Sequence, residues 1–491
     1  MAEVVKIGRD IADRVLFVIK AKYGLIIAAI IAIVVLYLPQ LEPVEFGGKT
    51  IILSLAGQRM LALLAGLVVI FMTEALPIGT TIGIVYAWIV FFGVLPEKEA
   101  AKLFSHDAAW FLFGALMISE VLVKYGIHKR VLLLIMKIVG SKTKYISLGI
   151  ISFCAISAAF IAEHTVAALM LPLGLALIHI NGGYKNAPNL AKLLLFSIAF
   201  GCCIGGLGTP SGGARNVVMI GFLEELYNVN IAYASWMIMA MPIVFILIPC
   251  IWVLLNKTFK PEIADLAQAS MNIKEEMAMP AMQVKEWLVA GIFLFILFLY
   301  ITKSNLGIGM ISLFGAVLYL VFGLVTWKDY QKINWGIPLL YFGAIGLGTA
   351  MQITGAATWL AAMALNLINN IVPLNGKMLV TAIGTIMMSG MSQIMSDGPC
   401  VATIGPVLLE SARLSGTDPV FFGIACAISS AFAFMLIIGT PANAIVYSSG
   451  FLKPKDFLKA GFLVYIVSLI VLLVVAYFWW GVLGVGVNGF H

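Results

Sequence analysis

Charge is what this 491-residue sequence has least of: Asp, Glu, Lys and Arg together make up 11%, against about 25% in an ordinary soluble chain. That scarcity excludes a water-soluble globular protein and leaves no stretch for a large soluble domain. Histidine is rarer still, with five residues. No HExxH, Walker loop, haem or iron–sulfur spacing occurs, so no metal centre or cofactor is expected and the chain does not read as an enzyme. The six cysteines include the neighbours Cys202 and Cys203, with Cys154, Cys250, Cys400 and Cys426 scattered in apolar sequence and no CxxC spacing. They read as packed, reduced thiols. Ser211 in Pro-Ser-Gly-Gly would suit an intramembrane serine protease, but no histidine stands where its base should be. The net charge of +7 fits basic loops beside anionic lipid headgroups and gives no case for nucleic-acid binding.

What is present is apolar sequence of spanning length. Hydrophobic residues make up 62% and the mean hydropathy is +1.06, while 47 glycines suit close helix packing. Spans are expected at 24–39, 57–76, 78–95, 108–125, 190–208, 235–256, 286–302, 305–325, 336–355, 418–438 and 457–483. The pieces 143–161 with 163–179, and 377–395 with 399–412, are each shorter than one crossing and carry a polar break between them. They read as two re-entrant hairpins. His128 to Lys137 and Trp359 to Ile371 read as helices lying in the interface. The expected fold is thus all-α and polytopic, with about 11 transmembrane helices plus two re-entrant hairpins. Lys6, Arg9, Arg14, Lys20 and Lys22 precede the first span, and no Lys or Arg follows Lys459. The positive-inside rule then puts the N-terminus in the cytoplasm and the C-terminus outside, in a cytoplasmic membrane.

The two hairpins look like copies. Ala162-Glu163-His164 with Pro172 matches Ser396-Asp397-Gly398 with Pro406, and a Gly-Thr-Pro tripeptide follows each, at Gly208 and at Gly439. Non-helical backbone survives at membrane depth only where protein or a watery cavity surrounds it. Paired breaks in two halves point to the substrate site of a secondary transporter. Helix N-terminal amides at such tips attract anions, and free carbonyls hold cations. Ionisable residues there are functional candidates: Glu163, His164, Arg215 and Asp397. Arg215 offers a fork for a carboxylate, or neutralises Glu163 or Asp397. Glu74, Glu120, His106, Asp107 and His179 read as packing or interface residues.

At these residues the chain resembles the divalent anion:sodium symporter (DASS) family of di- and tricarboxylate transporters. That resemblance implies a homodimer of inverted repeats with scaffold and transport domains working as an elevator. It assigns 1–23 to a cytoplasmic segment, 24–140 and 286–375 to scaffold, 257–285 to a linker, and 141–256 and 376–491 to transport. It implies a substrate site of Glu163, His164, Thr165, Thr209, Pro210, Ser211, Arg215, Asn216, Ser396, Asp397, Gly398, Thr440, Pro441 and Asn443. The family's hairpin tips read Ser-Asn-Thr, whereas both asparagine positions are acids here. The expectation is that Arg215, with His164, supplies fixed positive charge where relatives recruit sodium. Sodium-independent exchange of dicarboxylates of the succinate, malate and 2-oxoglutarate class would follow. In the alternative, a sodium-coupled symporter of di- or tricarboxylates or sulfate, Glu163, Gly208, Asp397 and Gly439 hold sodium.

Overall fold

The structure, a computed structural model, describes residues 23–103, 107–181, 183–266, 281–303, 306–371 and 376–485. The N-terminal segment expected to be cytoplasmic, His106, the middle of the expected linker and the C-terminal tail lie outside the described residues. In chain order the helices are α1 Tyr23–Tyr37, α2 Leu55–Thr73, α3 Thr81–Phe91, α4 Asp107–Lys124, α5 Ile127–Val139, α6 Thr143–Phe160 and α7 Glu163–Ile180. There follow α8 Pro188–Gly205, α9 Ala214–Tyr227, α10 Tyr233–Thr258, α11 Val284–Thr302, α12 Ile308–Val321, α13 Gly336–Ile353 and α14 Ala356–Asn369. The last are α15 Lys377–Met395, α16 Asp397–Leu414, α17 Pro419–Ser430, α18 Pro441–Tyr447 and α19 Pro454–Val475. Helices of six residues or fewer are left unnumbered.

The protein is a helical, polytopic membrane protein. Nine helices among the described residues are long and apolar enough to cross a bilayer, or ten when α4 and α5, bent by 64°, count as one span. Three of the nine, α6, α7 and α15, are arms of the expected hairpins. The spans expected at 24–39, 78–95, 305–325 and 418–438 form shorter apolar helices instead. At 418–438 the reason is local: α17 ends at Ser430 and the chain unwinds through Ala431 to Leu436. Helices do occur where interfacial ones were expected, as α5 and α14.

The chain divides into two compact units. One comprises the described parts of Met1–Ser105, Trp335–Asn375 and Ala402–Gly416. It holds a feature the sequence reading missed, a β-hairpin of strands Val44–Phe46 and Lys49–Ile51. Gly47 and Gly48 form its tip with φ of +58° and +75°, which two-residue hairpin turns demand and glycine adopts freely. The hairpin is fastened to α14: Trp359 Nε1 donates to the Glu42 carbonyl at 3.0 Å, and Asn366 Nδ2 to that of Glu45 at 2.7 Å.

The other unit, from His106–Asn334, Gly376–Val401 and Thr417–His491, contains both hairpin tips. Its centre is α8, which is apolar from Leu193 onward but for Ser197 and buried along nearly all its length. Helix α6 packs on it so closely that a Cβ at Gly205 would strike the Ala155 backbone. Gly114 of α4 lies against Ser312 of α12 in the same way. Small residues at such crossings let backbones approach in a membrane.

Candidate binding site at the paired helix breaks

Each hairpin turns through one or two residues and restarts with an acid. Helix α6 stops at Phe160, Ile161 and Ala162 are extended, and Glu163 opens α7. Helix α15 stops at Met395, Ser396 takes φ +65°, and Asp397 opens α16. A positive φ in a residue other than glycine costs about 1–3 kcal/mol and gathers at functional sites. Carboxylates suit these positions because the positive end of the helix dipole meets them. Asp397 Oδ1 also accepts from the Gly398 amide at 2.6 Å. The register that maps Glu163 onto Asp397 also maps Pro172 onto Pro406.

The broken segments match too, but not as the letters do. In the first, α8 ends at Gly205, Pro210–Gly212 makes one 3-10 turn, Gly213 is extended and α9 begins at Ala214. In the second, α17 ends at Ser430, Ile437–Gly439 makes the 3-10 turn, Thr440 is extended and α18 begins at Pro441. Asn216 Nδ2 donates to the carbonyls of Gly206 and Thr209 at 2.8 and 2.7 Å. Asn443 Nδ2 donates to those of Ala433 and Leu436 at 2.9 and 3.1 Å. This register pairs Asn216 with Asn443, Arg215 with Ala442, Gly213 with Thr440, and Thr209 with Leu436. The matching of one Gly-Thr-Pro to the other is therefore corrected: the backbone sets them four residues out of step. Turn geometry decides the register, and Ile437 stands where Pro210 does.

Both segments are gripped by the hairpin arms. The Thr209 hydroxyl donates to the Ala159 carbonyl and pairs with Ser211 Oγ at 2.9 Å, and Ser211 Oγ meets Tyr233 Oη at 2.9 Å. Gln393 of α15 donates from Nε2 to the Phe432 carbonyl at 2.8 Å and accepts from the Met435 amide at 2.9 Å. Cys203 Sγ lies 3.2 Å from Thr440 Oγ1, a link between the halves. Gln393, Cys203 and Tyr233 escaped the sequence reading. A glutamine amid apolar residues four positions before Asp397 was a signal available for the first.

Between the tips lies one buried ionic cluster. The Arg215 guanidinium reaches Glu163 Oε2 from both Nη1 and Nη2 at 3.3 Å, and Nη1 also pairs with Asp397 Oδ2. Arg215 is 1% exposed, Glu163 4% and Asp397 7%, too little for water to screen the charges. Glycine makes the room: a Cβ at Gly206 would stand 2.7 Å from Arg215 Nη2 and from Glu163 Oε2. Arg215 Nε has no hydrogen-bond partner among the described residues. One arginine, supplied by the first half alone, thus serves an acid from each half.

Of the other expected site residues, Thr209, Pro210, Gly398, Thr440, Asn216 and Asn443 are buried with Gly208 and Gly439, while His164, Thr165, Ser211 and Ser396 are half-buried. Pro441 is exposed. Glu74 takes φ +52° at the end of α2 in the other unit. The His179 ring meets that of Phe451, 5.9 Å away.

Residues 20–485 match the family described as the sodium:sulfate symporter transmembrane region. The chain belongs to this family. It is 26% identical over 454 residues to the sodium-dependent dicarboxylate transporter SdcS of Staphylococcus saprophyticus, with 87% of this chain and 86% of that protein covered. SdcS of Staphylococcus aureus is 25% identical over 461 residues, covering 88% of each. Among solved structures, Neisseria gonorrhoeae MtrF aligns with a TM-score of 0.56 at 12% identity, over 95% of this chain and 94% of MtrF. The Alcanivorax borkumensis YdaH transporter gives 0.51 at 13%, over 96% and 98%. These two share the fold with this DASS chain, which is a membrane transporter and not an enzyme.

Proposed function

We propose that this protein carries a dicarboxylate of the succinate, malate or 2-oxoglutarate class across the cytoplasmic membrane, with a small cation entering beside it. The observation that carries this reading is the Glu163–Arg215–Asp397 cluster at the two helix breaks. Two carboxylates against one guanidinium carry a charge of −1 when both acids are ionised, and the guanidinium is shared between them. A dianion arriving alone would meet net repulsion in a site too buried for screening. An added cation removes that repulsion, and sodium is the first choice, because the relatives of this chain are named sodium-dependent dicarboxylate transporters. Glu163 and Asp397, with main-chain oxygens of Gly208 and Gly439, are the donors we assign to it. The substrate is assigned to half-buried residues of the same helix breaks, His164, Thr165, Ser211 and Ser396, and to the exposed Pro441. In this reading the protein is a homodimeric elevator with its N-terminus in the cytoplasm.

A second reading, obligatory exchange without sodium, is favoured by one fact: the Arg215 cation is covalent and cannot leave with the cargo. Proteoliposomes separate the two. Sodium-driven uptake of radiolabelled succinate into empty vesicles supports coupled symport. Uptake that needs internal dicarboxylate and ignores the sodium gradient supports exchange. Absence of both with succinate, malate and 2-oxoglutarate refutes the substrate class.

A further inference from the structure

Asn216 and Asn443 occupy the same point in the two halves, and both are 0% exposed. Each spends both protons of its amide nitrogen on carbonyls ten and seven residues upstream. Each Oδ1 is buried without a hydrogen-bond partner among the described residues. Neither side chain therefore has a donor left for a carboxylate, and a bare carbonyl oxygen repels one. Their likeness lies in what they hold. The carbonyls lie in unwound backbone outside any helix ladder, and those of Thr209 and Leu436 also accept the Gly212 and Gly439 amides that close the following turns, at 3.2 and 3.3 Å. A primary amide is the uncharged side chain whose one nitrogen presents two N–H groups to two acceptors.

We propose that Asn216 and Asn443 are matched positioning residues. Each closes its unwound stretch, Gly206–Thr209 in one half and Ala433–Leu436 in the other, into the single shape that meets the substrate. Neither touches the cargo. What is positioned is the turn that follows each stretch: Pro210–Gly212, which carries Ser211 toward the substrate, and Ile437–Gly439, which brings the Gly439 oxygen to the cation and leads into Pro441. The inference rests on the reading that these segments frame a dicarboxylate. Serine at either position keeps at most one of the two donated bonds, so the stretch samples several shapes and the binding-competent fraction falls. Apparent affinity falls by that same fraction.

The test is initial-rate uptake of radiolabelled succinate by wild type, Asn216→Ser and Asn443→Ser in proteoliposomes, with thermal unfolding measured on the same preparations. The expected result is a KM raised about tenfold in each variant, for a competent fraction of about one tenth, with Vmax per folded transporter unchanged. An unchanged KM alongside a reduced Vmax and melting temperature would overturn the proposal, since the asparagines would then be struts of the fold. If Asn216→Ser gives no folded protein, the same constants for Asn443→Ser decide, and failure of both to fold counts against the proposal. Lack of uptake of succinate, malate and 2-oxoglutarate alike by wild type would refute the functional reading itself, which separates the two failures; where malate or 2-oxoglutarate is the one carried, it replaces succinate in the comparison.

Discussion

Removing the guanidinium should cost far more than removing one carboxylate along with it. In Arg215→Gln, Glu163 and Asp397 stay 4% and 7% exposed and lose the cation between them. Breaking a buried pair from one side costs about 3–5 kcal/mol, because the stranded charge keeps its desolvation penalty. Adding Asp397→Asn removes one stranded charge. The double variant should then recover about 1–3 kcal/mol, the upper range of coupling between residues in contact. Melting of the detergent-solubilised protein at a fixed scan rate, read by size-exclusion fluorescence, gives the comparison for wild type, both single variants and the double. The double variant should melt above Arg215→Gln although it carries one more substitution, and transport should stay absent in both. If the two losses simply add, the contact between Arg215 and Asp397 carries no energy and the shared-arginine argument fails.

Two further outcomes follow from single contacts. Gly206→Ala drives a methyl group to 2.7 Å from both Arg215 Nη2 and Glu163 Oε2, so it should cost about 1–3 kcal/mol and most of the succinate uptake; wild-type melting and uptake would contradict the crowding. Outside the spans, Asp329 accepts from Lys124 Nζ at 2.8 Å and from the Thr326 amide and hydroxyl, and these bonds, that from Lys124 first, hold its carboxyl well below the usual carboxylate range. Its stabilisation is present above the unfolded pKa of about 4 and fades as pH falls from there toward the lower folded value. Asp329→Asn should lower stability at pH 7 by less than about 1 kcal/mol and flatten the decline between roughly pH 4 and 2; an unaltered acid limb would show that this turn is not held by the ionised form.

The helix breaks were legible because charge inside apolar sequence has few structural excuses. Glu163 and Asp397 stood out for that reason, and both open a helix. Arg215 was legible as a candidate and Glu163 and Asp397 as its alternative partners; that one guanidinium serves both at once was not, since one acid belongs to its own half and the other to a distant one. The Gly-Thr-Pro pair misled because the backbone register follows extended residues and 3-10 turns, which Pro210 and Ile437 begin equally well. The strand pair around Gly47 and Gly48 lies between two helices, and the search for spanning runs passed over it. The short helix α17 was read as a full span because the unwound Ala431 to Leu436 is as apolar as the helix before it.

The lopsided placement of Arg215 bears on how such a chain arose. Two copies of the first half would bring two arginines for two glutamates, and two copies of the second would bring aspartates facing Ala442 with no arginine at all. Neither half could stand in for the other in a symmetric ancestor without changing the ion balance of the pocket. The two halves are thus unequal partners, and the present ratio of two acids to one arginine needs both of them.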